Sequence, residues 1–258
     1  MKNLFDLTGK TALVTGGANG MGRMIAQGLI EAGAHVIVTS RKETDVAEAV
    51  AALSQFGSAE GMTADLSSAE GVGALSTALI ERGKPLHIVI NNAGRTFGAP
   101  LAEFPDTAWS GVMMVNVQAP FTLVRDLLPL FKTSGSAEDP VRIINIGSVA
   151  GARVENLPAY SYAASKAAIH HLSKVLAVEL ADEAITVNTV LPGYFPTKMT
   201  THIRADDDRL AELRDHIPMG RMGTADDIAG ACIFLCSRAG AYVTGAQIPV
   251  DGGVMAGG

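Results

Sequence analysis

Seven short apolar runs, each separated from the next by a longer stretch of helical period, constrain this chain more than any other feature. The runs are Thr11 to Thr15, Ala34 to Thr39, Glu60 to Ala64, His87 to Asn91, Arg142 to Gly147, Thr186 to Val190 and Gln247 to Val250. Between them lie helix-length stretches, among them Met21 to Ala32, Thr44 to Gln55, Ala69 to Arg82, Asp106 to Phe131, Tyr162 to Leu180 and Ala225 to Ser237. The strand runs are apolar at successive positions instead of alternating with polar ones, the pattern of strands covered on both faces. The pattern predicts a doubly wound α/β fold, a seven-stranded parallel sheet with helices on both faces.

A chain of 258 residues, 48% hydrophobic and 18% charged, has enough apolar material for one large core, so a single domain over 1–258 is expected. The β/α alternation is interrupted once at length, from Pro192 to Gly223. That stretch follows the sixth strand, on the edge where such sheets open their ligand crevice, and is expected to be a substrate-covering insertion.

Composition removes several classes of partner. The 20 basic and 26 acidic residues give a formal charge of -6 with no basic run to neutralise a phosphate backbone, so nucleic acid is not expected. No stretch is long and apolar enough to span a bilayer. The first ten residues carry Asp6 and run into a strand, without the basic flank and apolar core of a signal peptide, which predicts a cytoplasmic chain. Cys232 and Cys236 fall one turn apart on a predicted helix, too far for a disulfide, and read as small core side chains in a reducing compartment.

Directly after the first strand comes Thr15-Gly16-Gly17-Ala18-Asn19-Gly20-Met21-Gly22, and then an apolar helix. Glycines allow a tight turn and let backbone N–H groups approach a pyrophosphate, whose charge a helix N-terminus favours. A Gly-rich turn alone is a weak signal, but its position between first strand and first helix is that of a Rossmann dinucleotide site. The second strand ends in Val38-Thr39-Ser40-Arg41-Lys42. An acidic residue there would bind the ribose 2′-hydroxyl of NAD, whereas a guanidinium suits the 2′-phosphate of NADP. Ser40 and Arg41 therefore favour NADP(H), with NAD(H) as the alternative.

In Tyr162-Ala163-Ala164-Ser165-Lys166 the tyrosine and lysine share one helix face, one turn apart. A phenol can give a proton to the oxygen of a carbonyl under reduction if its ordinary pKa near 10 is lowered, and a neighbouring ammonium lowers it. The spacing alone arises often by chance. Its weight comes from company: Asn91-Asn92-Ala93-Gly94 ends the fourth strand, Asn116 lies in the following helix and Ser148 follows the fifth strand. All are expected to face the crevice at the carboxyl edge of the sheet.

These motifs, with Asp65-Leu66, Pro192-Gly193 and Val250-Asp251-Gly252-Gly253, resemble the short-chain dehydrogenases/reductases from Asp6 to Gly253, almost end to end. The resemblance implies that Tyr162 is the general acid in reduction, that Ser148 hydrogen-bonds the substrate oxygen, that Lys166 also holds the nicotinamide ribose and that Asn116 supports a water-mediated proton relay through Lys166. It further implies that Gly16, Asn19, Gly20, Met21 and Gly22 hold the pyrophosphate turn, that Asp65 and Leu66 border the adenine, that Asn92, Ala93 and Gly94 lie along the cofactor, and that Pro192, Gly193 and Thr197 flank the nicotinamide. Asn19 departs from the basic residue that many NADP-preferring members carry, so the coenzyme reading rests on Ser40 and Arg41.

Ala64 to Ser68, Ile144 to Gly151, Met199 to Ile203 and Ile217 to Arg221 resemble the β-ketoacyl reductases associated with rhamnolipid-producing bacteria. This implies NADPH-dependent reduction of a ketone, most specifically a β-ketoacyl thioester carried on an acyl carrier or CoA. An NAD(P)-dependent alcohol dehydrogenase acting on a sugar, steroid or other secondary alcohol stays open, as does a non-catalytic dinucleotide sensor, against which Ser148, Tyr162 and Lys166 weigh. Within the insertion Met199, Ile203, Leu210, Leu213, Ile217 and Met219 form an apolar set able to cover a substrate or simply cap the core. Asp206-Asp207-Asp208 reads as a solvated helix start, and His170-His171 has no partner at metal-ligand spacing, so no metal is expected. Asp106 to Phe131, Tyr162 to Leu180 and Ile248 to Gly258 resemble the interface segments of the family, which implies a 222-symmetric homotetramer.

Overall fold

The computed structural model describes residues 3–155, 157–197 and 200–257 and, of His202 and Ile203, the backbone alone. All seven expected strands form: β1 (Thr11–Val14), β2 (His35–Ser40), β3 (Ala59–Thr63), β4 (Ile88–Asn91), β5 (Val141–Ile146), β6 (Ile185–Pro192) and β7 (Gln247–Val250). They pair in parallel in the order β3-β2-β1-β4-β5-β6-β7. The helices are α1 (Gly20–Glu31), α2 (Glu43–Leu53), α3 (Ala69–Glu81), α4 (Thr107–Met113), α5 (Ala119–Phe131), α6 (Tyr160–Glu179), α7 (Thr201–Arg204), α8 (Asp207–Asp215) and α9 (Ala225–Cys236).

The apolar runs divide by parity. Ala12, Val14, Val36, Val38, Ile88 and Ile90 pack on one face of the sheet with Ile25, Leu29, Ile228 and Cys232 of α1 and α9. Leu13, Ile37, Val89, Ile143 and Val187 pack on the other with Leu75, Leu79, Leu123 and Leu127 of α3 and α5. Each such fully buried aliphatic side chain contributes about 1.5 to 3 kcal/mol relative to exposure, so both faces must be covered. Gly28 lets α1 approach α9 closely, because a Cβ there would overlap the methyl of Ala229.

One departure from expectation concerns the connections. The stretch Asp106 to Phe131 is not one regular helix: a wide turn over Met114–Gln118 separates α4 from α5, and there the Ala119 N–H reaches back five residues to the Met114 carbonyl. Pro120 supplies the physical reason, since it has no N–H to continue the regular ladder. The insertion after β6 holds α7 and α8, and Asp206 begins α8 by accepting the Arg209 N–H at 3.1 Å, a helix start as the acidic triplet predicts.

At the amino ends of the strands sits Arg142, only 1% exposed, on β5. Its guanidinium donates to the carbonyls of Pro140 and Ser237 and pairs with Asp139, which Lys10 also engages. Cys232 and Cys236 are buried free thiols on α9, and burial raises the pKa of both.

Candidate active site

β1 and β4 lie side by side, yet the chain leaves them in opposite directions, to β2 and to β5. At such a switch the loops diverge and leave a crevice beyond the carboxyl ends of the strands. A cleft of about 670 Å³ opens there. Its walls come from successive strand ends: Gly16, Asn19, Gly20, Met21 and Gly22 after β1; Ser40 and Arg41 at β2; Asp65 and Leu66 after β3; Asn92, Ala93 and Gly94 after β4; Ser148 after β5; Tyr162 and Lys166 on α6; and Pro192, Gly193 and Thr197 at β6. The sequence motifs thus meet at one place.

The glycine turn is shaped for close approach. Gly16 and Gly20 have φ of +63° and +53°, which side chains rarely adopt. A Cβ on Gly22 would lie 2.5 Å from the Gly16 carbonyl and overlap the Asn92 amide. Asn19 precedes α1 without capping it, and its amide donates to Asp45 at 3.1 Å. The first-turn N–H groups of α1 are therefore left for an anion, as a pyrophosphate requires. Thr15 and Asn92 brace the turn from beneath: the Thr15 hydroxyl accepts the N–H groups of Asn92 and Ala93 at 3.0 Å, and the Asn92 amide donates to the Thr15 carbonyl at 2.9 Å. Asn92 thus acts as a brace as well as a wall. Arg41 is exposed at the cleft beside Asp65, whose carboxyl is held below its usual pKa by hydrogen bonds from Ser67 and, more weakly, by the Arg41 charge.

At the other end, Ser148 begins a 3₁₀ turn, and its hydroxyl oxygen accepts the Ala150 N–H at 3.2 Å. The hydroxyl also hydrogen-bonds the Tyr162 phenol. Lys166, buried on α6, donates from Nζ to the Ile146 carbonyl at 2.7 Å, with Nζ 5.6 Å from the Tyr162 ring centroid. Burial draws its pKa down to about 8. The sequence expectation of a lowered Tyr162 pKa is corrected: desolvation raises the phenol, and the hydrogen bond with Ser148 offsets only part of that.

Two residues expected to face the crevice, Asn91 and Asn116, do not line the cleft, and Asn116 is the catalytic candidate of the two. It is 3% exposed, behind the wall. The wide turn aims its amide inward, where Oδ1 accepts the Arg95 N–H at 2.8 Å and Nδ2 donates to the Arg95 carbonyl and the Ser165 hydroxyl, both at 2.9 Å. The same turn acts on the backbone. With the Ala119 N–H given to Met114 and no N–H on Pro120, the Val115 carbonyl loses both helical donors, and Val115 lines the cleft.

Sequence reasoning missed other residues here. Thr39 accepts the Gly16 N–H at 3.3 Å, and Asn145 and Ser173 form a buried chain with Asn91, which was expected at the crevice, with 2.8 Å from Asn91 to Asn145 and from Asn145 to Ser173. Polar residues inside apolar strands were the available signal. From the insertion, Phe195, Thr197 and Thr200 reach the cleft. Of the apolar set expected to cover a substrate, Leu210 and Leu213 are half-buried away from it, Ile217 is buried against Gly252, and Met219 lines a separate hollow. Met199 and the Ile203 side chain lie outside the described residues. Among the described residues, no group of three or more His, Cys, Asp or Glu is placed to hold a metal ion.

The loops that follow β4 and β5 pack against each other. The Ala99 N–H donates to the Pro158 carbonyl at 3.0 Å, and Phe104 meets Phe97, Trp109 and Tyr160 edge to face at 5.2 to 6.2 Å. Phe97, Leu101, Val154 and Leu157 stay exposed along these loops.

Known proteins resemble this chain over almost its whole length. A family model described as enoyl-(acyl carrier protein) reductase matches residues 16–255. The rhamnolipids biosynthesis 3-oxoacyl-(acyl-carrier-protein) reductase of Pseudomonas aeruginosa is 47% identical over 253 residues, 98% of this chain and 99% of that protein. Galactitol 2-dehydrogenase of Rhizobium johnstonii is 36% identical over 251 residues, 96% of each. The solved Pseudomonas aeruginosa RhlG/NADP active-site complex superposes with a TM-score of 0.96 at 47% identity, covering 99% of this chain and 100% of that one. From the glycine turn to the Ser148, Tyr162 and Lys166 group, the chain belongs to the short-chain dehydrogenase/reductase family.

Proposed function

We propose that the protein reduces the ketone of a β-ketoacyl thioester to a secondary alcohol with NADPH, on an acyl carrier or CoA. The observation that carries this reading is the convergence of Ser148, Tyr162 and Lys166 at the end of β5, in the same cleft as the glycine turn and Arg41. Gly16, Asn19, Gly20, Met21 and Gly22 would hold the pyrophosphate, Ser40 and Arg41 the 2′-phosphate, Asp65 and Leu66 the adenine, and Asn92, Ala93, Gly94, Pro192, Gly193 and Thr197 the remainder. When bound, the dinucleotide supplies the hydride.

The chain's own groups handle the oxygen. Ser148 donates its hydroxyl proton in a hydrogen bond to the ketone oxygen, and Tyr162 transfers its phenolic proton to it. A phenol raised by burial is fully protonated at neutral pH, which suits proton donation and hence reduction. Lys166, with a pKa of about 8, stays largely charged at neutral pH yet gives up a proton more readily than an exposed lysine. The Val115 carbonyl offers a free acceptor on the cleft wall, so the relay role goes to the turn around Asn116 rather than to its amide.

An acyl chain is favoured by exposed apolar surface: Phe97, Leu101, Val154 and Leu157 lie on the loops that follow β4 and β5, the strands whose ends carry Asn92 to Gly94 and Ser148. The identity with the Pseudomonas aeruginosa 3-oxoacyl reductase supports the same choice. The insertion at 192–223 belongs to the same single domain in this reading. Trp109, Phe121, Val175 and Val178, exposed on α4, α5 and α6, suit the subunit contacts of a homotetramer, and two buried thiols suit the cytoplasm.

Steady-state rates with NADPH and with NADH over β-ketoacyl thioesters of increasing chain length and an enoyl thioester, and with NADP+ and NAD+ over galactitol, test the reading. Highest kcat/KM is expected for NADPH with a β-ketoacyl thioester. A preference for the polyol or for the enoyl C=C bond would overturn it.

A further inference from the structure

His170 is a buried titratable group that the chemistry above does not use. It lies on α6 at the same helical spacing as Tyr162 and Lys166, and is 4% exposed. The three side chains grip the end of β5 in sequence: Tyr162 meets the Ser148 hydroxyl, Lys166 donates to the Ile146 carbonyl, and the Ser148 N–H donates to His170 Nε2 at 3.3 Å. We propose that His170 is a positioning residue, whose neutral ring accepts the Ser148 main-chain N–H and so fixes the serine that holds the substrate oxygen. The inference rests on the role given to Ser148 above.

The surroundings are built for the ring. A Cβ on Gly147 would overlap Nε2, and one on Gly151 would lie 2.8 Å from Cε1. The two glycines that bracket Ser148 thereby let the imidazole lie directly beneath its turn. With Nε2 accepting, the ring proton sits on Nδ1. Burial, reinforced by the charges of Lys166 and Lys174, lowers the His170 pKa to about 4, so this neutral form persists through the working range. The Ser148 N–H, at the end of a strand, would otherwise be a buried donor without an acceptor.

The test compares His170→Met with His170→Gln, side chains of similar volume of which only the second offers an acceptor, alongside Ser148→Ala and the Ser148→Ala/His170→Met double variant. Readouts are kcat and KM with NADPH and a β-ketoacyl thioester, NADPH affinity and thermal unfolding. Displacement of a positioned group by about 1 Å can cost on the order of 100-fold, so H170M should lose about 10- to 100-fold in kcat with NADPH affinity held within about two-fold. H170Q should recover most of that loss, and the double variant should be no slower than S148A. The proposal is overturned if H170M keeps kcat within about two-fold, or if H170Q is as slow as H170M and the losses multiply in the double variant. If H170M does not fold, H170Q alone decides: kcat within about three-fold of the parent supports the role, and a loss beyond about ten-fold overturns it. A Ser148→Ala variant of undiminished kcat would instead refute the role of Ser148 itself.

Discussion

The amide of Asn116 donates to the Ser165 hydroxyl at 2.9 Å, and that hydroxyl donates in turn to the Tyr162 carbonyl at 2.7 Å. A residue outside the cleft thus connects the loop after β4 to the helix that carries the phenol.

Replacement of Asn116 by Leu leaves the Arg95 N–H and carbonyl without their partner, and a buried unmet polar group costs about 1 to 3 kcal/mol. The variant is expected to lose roughly 2 to 4 kcal/mol of unfolding free energy in urea together with much of its turnover. Parental stability with low turnover would show instead that the amide acts on the chemistry alone.

Tyr162→Phe keeps the ring and removes the proton. Turnover should fall by about 10²- to 10⁴-fold, the usual worth of a positioned general acid. Isothermal titration should find NADPH affinity within a few-fold of the parent, since the ring still fills its place. Retained turnover would exclude the phenol as proton donor.

Arg41→Ala should weaken NADPH selectively. Loss of a charge-assisted hydrogen bond of about 1.5 to 3 kcal/mol corresponds to roughly a 10- to 150-fold rise in its dissociation constant, with NADH changed little. Equal weakening of both coenzymes would remove Arg41 from the 2′-phosphate site.

Gly22→Ala sets a methyl against the Gly16 carbonyl and the Asn92 amide, both anchored. Overpacking of this kind costs about 1 to 3 kcal/mol, and the pyrophosphate turn must shift to relieve it. Unfolding free energy and NADPH affinity should fall together, as measured by denaturation with and without the coenzyme.

His170 makes stability pH-dependent. Its pKa is about 4 in the folded chain and near 6.5 unfolded, so between these values the unfolded chain binds a proton that the folded chain does not. Stability must therefore fall as pH drops from 6.5 toward 4, by roughly 2 to 3 kcal/mol from this group. Urea denaturation at pH 7 and 4.5 should show a correspondingly shallower loss in H170Q than in the parent, and parallel losses would contradict the assignment.

The sheet was legible because parallel strands covered on both faces write long apolar runs, and Leu13 and Val14 are equally buried though they face opposite layers. The glycine turn and the Tyr162/Lys166 pair were legible because spacing along one element fixes their placement. Asn116 was found but misdirected, because its orientation depends on the wide turn that Pro120 forces. His170 was weighed only for a partner at metal-ligand spacing, since its acceptor role depends on the Ser148 N–H, which no side-chain pattern encodes. The insertion was least legible: Leu210, Leu213 and Ile217 have helical spacing, but Leu210 and Leu213 are half-buried on α8 outside the cleft lining and Ile217 packs against Gly252.

The clamp of Arg142, Asp139 and Lys10 at the amino ends of the strands gives the molecule a division of labour along the strand axis. Its anchoring lies at one end of the sheet and its chemistry at the other, so a change of loop at the mouth need not disturb the foundation. The loops that carry Phe97, Leu101, Val154 and Leu157 can change while the strand register stays fixed, and diversification is expected to be fast at one rim and slow at the other.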